Sequence, residues 1–69
     1  MKLTNNFGDV VEIMAERGAE DDEGNFTYRC QKFDMHPKTG SISSSWMYGD
    51  DPAELLKQVA DEMREAGWA

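Results

Sequence analysis

The segment from Asp51 to Trp68 constrains this chain more than any other. Asp51-Pro52-Ala53-Glu54 sets an acid at a helix N-cap, a proline at the first helical position and a glutamate at the third, a capping-box arrangement with aspartate in place of serine or threonine. Behind it Leu55, Leu56, Val59, Ala60, Met63 and Ala66 recur every three or four residues and form one apolar stripe. Gly67 stands where a left-handed C′ residue is wanted, and Trp68, as C″, is placed to pack on Met63. The spacing predicts one amphipathic helix over Pro52–Ala66. A helix with a single apolar stripe needs a layer to bury it against, and the preceding residues must supply that layer.

Upstream the period changes to two. Phe26, Tyr28 and Cys30 alternate with Thr27, Arg29 and Gln31, and Ile42, Ser44, Trp46 and Tyr48 alternate with Ser41, Ser43, Ser45 and Met47. Both runs read as half-buried antiparallel strands, joined by a turn at His36-Pro37-Lys38-Thr39-Gly40. The apolar phase slips between Cys30 and Phe33, which predicts a bulge near Gln31 or Lys32. Residues 2–7 and 10–17 read as a hairpin about Gly8-Asp9. A helix over 10–17 is the rival there, because Asp9-Val10-Val11-Glu12 also looks like a capping box, but the β-branched alternation favours strand.

The expected fold is therefore α+β: a four-stranded antiparallel β-meander with one C-terminal helix packed on one face (ββββα), in a single domain spanning 1–69. A helix of that length is about 22 Å long and covers one face only. Its facing set is expected to be Val11, Ile13, Phe26, Tyr28, Cys30, Ile42, Trp46 and Tyr48. Glu12, Met14, Glu16, Thr27, Arg29, Gln31, Ser43, Ser45 and Met47 are expected on the open face.

Composition narrows the function. With 69 residues there is one small core and no room for a cofactor fold. Seven aromatics and 39 % hydrophobic residues argue for a folded chain. Fourteen acids against seven bases give a net charge of −7, which opposes direct binding to nucleic acid or to an anionic membrane. No apolar run is long enough to span a bilayer, and Thr4, Asn5 and Asn6 interrupt any signal-peptide apolar region. A lone cysteine fits a reducing compartment, so a cytoplasmic location is expected.

Catalytic material is scarce. Cys30, the single thiol, is expected inside the core, and His36, the single histidine, lies in the turn. The serines at 41 and 43–45 lack a glycine-flanked elbow and read as polar sheet surface. The acidic run Glu20-Asp21-Asp22-Glu23-Gly24-Asn25 reads as a loop. Set against a calcium-binding loop with Gly24 as its glycine, it fails at both ends, with Ala19 first and Cys30 last. No phosphate-cradling glycine loop exists. A non-enzymatic protein without metal or cofactor is expected.

What remains is charge, in two groups. Glu16 stands with Glu20, Asp21, Asp22 and Glu23; Asp50, Asp51, Glu54, Asp61, Glu62 and Glu65 lie on or just before the helix, against Lys57 and Arg64. Taken singly these acids are ordinary solvated surface: those near Asp51 suit the helix dipole, and Glu54–Lys57 and Asp61–Arg64 are spaced to pair. Taken together they make a surface complementary to a basic protein groove, such as that of a nucleic-acid-binding complex. In size, charge and lack of catalytic residues the chain resembles small phage-encoded inhibitors that mimic DNA, the anti-CRISPR proteins among them. That resemblance implies an inhibitor occupying a basic DNA- or RNA-binding groove. The alternative is an adaptor acting through apolar contacts, with Met14 and Met47 on the open face, an edge strand available for pairing, and a homodimer as its simplest form.

Overall fold

A computed structural model describes all residues of the chain, 1–69. The elements are β1 (Lys2–Thr4), β2 (Val10–Glu12), β3 (Ala15–Glu20), β4 (Phe26–Met35), β5 (Ile42–Gly49) and α1 (Pro52–Glu65). The helix forms as its ends dictate. Asp51 keeps an extended backbone, and its Oδ1 accepts from the N–H groups of Ala53 at 2.9 Å and Glu54 at 3.2 Å. The reciprocal bond of a capping box, from the Asp51 N–H to the Glu54 carboxylate, is not made. At the other end Gly67 takes φ 108°, its N–H donates to Arg64 O at 3.2 Å, and Trp68 N donates to Met63 O at 3.0 Å. This is the Schellman pair of bonds, and it folds the Trp68 ring back into the core.

The meander is not one sheet. β1 and β2 form a two-stranded sheet of their own, and β3-β4-β5 form a second, both antiparallel. The strand expected over 10–17 is cut at Ile13-Met14, where the chain leaves β1 and turns to pair with β4. Three long-range contacts hold this corner. Met1 and Ile13 exchange backbone bonds at 2.8 Å in each direction, and the Met1 ammonium reaches Glu12 Oε1 at 3.1 Å. Thr4 and Ala69 also exchange backbone bonds at 2.8 Å, so the end of the chain lies along the outer side of β1. The corner carries Ile13 into the core beside Leu3 and Trp68.

The core comprises Leu3, Ile13, Cys30, Leu55, Val59, Ala60, Met63 and Trp68. Of the seven aromatics Trp68 alone is fully buried; its Nε1 has no acceptor, which costs about 1–3 kcal/mol in a core this small. The β4–β5 register is unbroken from Tyr28↔Gly49 to Met35↔Ile42, so the bulge expected near Gln31 or Lys32 is absent. The pairing slips instead between β3 and β4, at Arg17/Glu20. The apolar phase of β4 changes for another reason: every residue from Gln31 to Met35 is half-buried, so the far half of the strand is covered on both faces.

The same register inverts the expected phase of β5. Cys30, which points into the core, pairs with Met47, and cross-strand partners share a face. Met47 therefore packs inward, against the expectation, while Ile42, Trp46 and Tyr48 turn to the open face and are 42 %, 42 % and 63 % exposed. Phe26 is also exposed, packed edge-on against Tyr28 with Arg17 stacked 3.6 Å over its ring. Small residues suit the inward side of this strand. A Cβ on Gly49 would stand 3.5 Å from Leu55 Cβ, so the helix sits close against the end of β5.

Candidate protein-binding surface

The acidic run between β3 and β4 is a closed turn. Asp21 Oδ1 accepts from the N–H groups of Glu23 and Asn25, both at 2.9 Å, and Asp21 N donates to Asn25 O at 2.7 Å. Glu20 is the last residue of β3 rather than part of the loop, and Asp22 and Glu23 stand exposed at the tip. Glu16 leaves this group: on the open face its Oε1 accepts from Arg29 Nε at 2.7 Å. Of the remaining loop acids Asp21 alone meets the helix group, lining one hollow with Asp50, Asn25, Phe26 and Thr27, while Glu20, Asp22 and Glu23 stand apart from it.

From Asp50 the negative charge continues along α1. Glu54, Asp61, Glu62 and Glu65, with Lys57 and Gln58, line a second open hollow with no apolar wall. Lys57 reaches Asp61 at 3.4 Å rather than Glu54, and Arg64 reaches Asp61 at 3.8 Å as its spacing implied. Lys32 of β4 approaches Glu62 at 3.7 Å, and Glu62 Oε2 is buried without a partner. Glu54, Glu65 and Asp50 form no ion pair. The result is an acidic track from the β3–β4 turn past Asp50 and Asp51 to α1, where Glu54 to Glu65 cover about 16 Å of helix rise. Within it Asp51 and Asp21 also hold backbone in place.

The open face of the three-stranded sheet is the part that sequence reasoning missed. Arg29 lies 4.2 Å over the Trp46 ring while bound to Glu16, and Gln31 Nε2 donates to Ser44 Oγ at 3.0 Å. Trp46 is thus held under Arg29 on the open face, and Tyr48 stands exposed on the same face. The register decides it: with Met35 opposite Ile42 across the His36–Gly40 connection, the odd-numbered β5 residues take the face of Cys30, and residue bulk alone does not give that register.

The remaining reactive groups have structural surroundings. Cys30 is fully buried, and burial pushes its thiol above the ordinary value of 9.0, with the nearby Glu16 charge adding to the rise and a backbone bond from Met14 and the N-terminal ammonium opposing it. His36 Nδ1 accepts from the N–H groups of Lys38 and Thr39 at 3.2 and 3.3 Å, which closes its own turn. No three His, Cys, Asp or Glu side chains converge as metal ligands, and no helix is long and apolar enough to cross a membrane. No protein-family model, curated protein or solved structure matches the chain.

Proposed function

We propose that this protein is a non-enzymatic inhibitor whose acidic surface occupies the basic nucleic-acid groove of a protein partner. The observation that carries the reading is the hollow along α1 lined by Glu54, Asp61, Glu62 and Glu65, with no apolar wall. On the helix Glu54, Asp61, Glu62 and Glu65 span about 16 Å, and one DNA strand presents roughly five phosphates over the same rise. Those acids are borne on a capped helix, so the charge is presented without a large ordering cost on binding. The Cys30 and His36 surroundings described above add no reacting pair to this surface.

The test is capture of the partner by immobilised protein at about 0.05 and 0.2 M salt, with duplex DNA as competitor. The groove-occupying inhibitor releases its partner on raising the salt and on adding DNA. Neutralising the unpaired acids with Asp50→Asn, Glu54→Gln and Glu65→Gln weakens capture while leaving the thermal transition in place. Undiminished capture by that triple variant refutes the reading. A second reading, an adaptor working through apolar contacts, draws support from the exposure of Trp46 and Tyr48. It requires capture that persists at the higher salt and is lost with Trp46→Ala.

A further inference from the structure

The two edges of the three-stranded sheet differ. β3 carries Glu16, Arg17 and Glu20, and its register slips within the strand. Charge and irregularity are the usual means of keeping an edge from recruiting another strand. β5 runs eight residues with no charge, no proline and no break in register, and nothing pairs with its outer side. Its hydrogen-bonding phase follows from the bond of His36 N to Ser41 O at 2.9 Å. Alternation along an antiparallel ladder then turns the backbone groups of Ser43, Ser45, Met47 and Gly49 toward β4. Those of Ile42, Ser44, Trp46 and Tyr48 point outward.

Two different surfaces flank this edge. On the open face stand the side chains of Ile42, Trp46 and Tyr48. On the other face runs the acidic flank of α1. Leu55 lies against Gly49, which marks the side of the helix nearest β5, while Arg64 turns the other way and meets Met1 Sδ at 3.9 Å. At about 100° per residue, Glu54, Glu62 and Glu65 fall within roughly 100° of Leu55, on the side away from Ala60; Glu62 meets Lys32 of β4 at 3.7 Å, and Glu54 and Glu65 form no ion pair. A second copy added antiparallel to β5 would share the sheet through a two-fold axis and bring both helices to one face. Their axes, each over its own β4, would then lie about 14 Å apart, three strand spacings, with glutamate rows facing across the seam. Charge therefore favours a basic strand over a second copy.

We propose that the Ile42–Gly49 edge is completed by an extended strand of a basic partner protein, in which lysine or arginine alternates with apolar residues. The basic side chains lie under the acidic flank of α1, the apolar ones on Ile42, Trp46 and Tyr48, and the outward N–H and C=O groups supply the affinity common to all sequences. This rests on the preceding reading of the helix acids as partner-facing and adds the mode of recognition.

The experiment titrates the intact protein with an end-capped peptide of alternating lysine and valine, and follows amide hydrogen exchange residue by residue. Two comparators are used: the same peptide N-methylated at alternate residues, and a peptide of equal composition with its lysines in one block. The alternating peptide is expected to slow exchange at Ile42, Ser44, Trp46 and Tyr48 about tenfold or more, and to lose about tenfold in affinity on N-methylation. Ser44→Pro, which removes an outward N–H and leaves the β4 ladder paired, abolishes the protection. Equal binding of all three peptides without protection of those amides overturns the proposal and leaves the charge-based function standing. Protection that rises with protein concentration and no peptide present also overturns it, in favour of a second copy. Failure of every lysine peptide to bind at low salt defeats this proposal and the acidic-track reading together.

Discussion

Asp51 belongs to the acidic track and is also the N-cap of α1, and one pair of substitutions separates the two roles. In Asp51→Ala both bonds from the Ala53 and Glu54 N–H groups at 2.9 and 3.2 Å are lost. The cap is exposed, so water takes over those donors and no buried orphan is created. The loss is then that of an ordinary N-cap, about 1–2 kcal/mol. In a domain of this size each kcal/mol moves Tm by roughly 4–8 °C. Asp51→Asn keeps an accepting oxygen at the same place and gives up only the attraction of a full charge to the helix dipole, about 0.3–1 kcal/mol. Thermal unfolding followed by far-ultraviolet circular dichroism should therefore rank the wild type above Asp51→Asn and both well above Asp51→Ala. If the two variants fall equally, Asp51 acts through its charge alone. If neither falls, the helix is held by its packing and the capping argument is wrong.

Three further outcomes follow from the geometry. Met47→Asp should lower stability by at least about 2 kcal/mol, because it drives an unpaired charge against the core, whereas Trp46→Asp on the open face should cost about 1 kcal/mol or less; urea midpoints decide. Gly67→Ala should cost about 1–3 kcal/mol, since φ 108° strains a side chain and the new Cβ would stand 2.7 Å from Met35 Cε, and adding Met35→Ala should recover the contact but not the strain. Cys30 should resist a thiol reagent in the native state and react on unfolding. Above the ordinary thiol value of 9.0 the unfolded chain ionises while the buried thiol keeps its proton, so stability should fall as pH rises past that value and be indifferent to this group below it. Cys30→Ala should flatten that alkaline slope.

The parts of the fold that were legible are those written locally. The helix announced both its ends within a few residues of each, and the His36–Gly40 turn stood between two strands where the pattern placed it. The corner at Ile13-Met14 was illegible because its causes are remote: the amino group and the carbonyl of Met1 hold it, and neither is encoded near residue 13. The phase of β5 failed for a different reason. Bulk argued for Ile42, Trp46 and Tyr48 inside, but the pairing of Met47 with Cys30 governs which face each residue takes, and a one-residue error exchanges the whole set. The acidic positions were legible because charge needs no register. That Asp21 and Asp50 meet in one hollow, and that an aromatic face lies on the opposite side of the sheet from the helix, required the structure.

The two tryptophans end in opposite environments, Trp68 sealed in the core and Trp46 stacked beneath Arg29 at the surface. The chain thus carries two intrinsic fluorophores with separate assignments. Trp68, shielded from water, emits to the blue and shifts when the domain opens. Trp46, reached by aqueous quenchers, responds to whatever covers the sheet while the domain stays closed. A single emission spectrum, resolved with an iodide quencher, would distinguish unfolding from docking without any label.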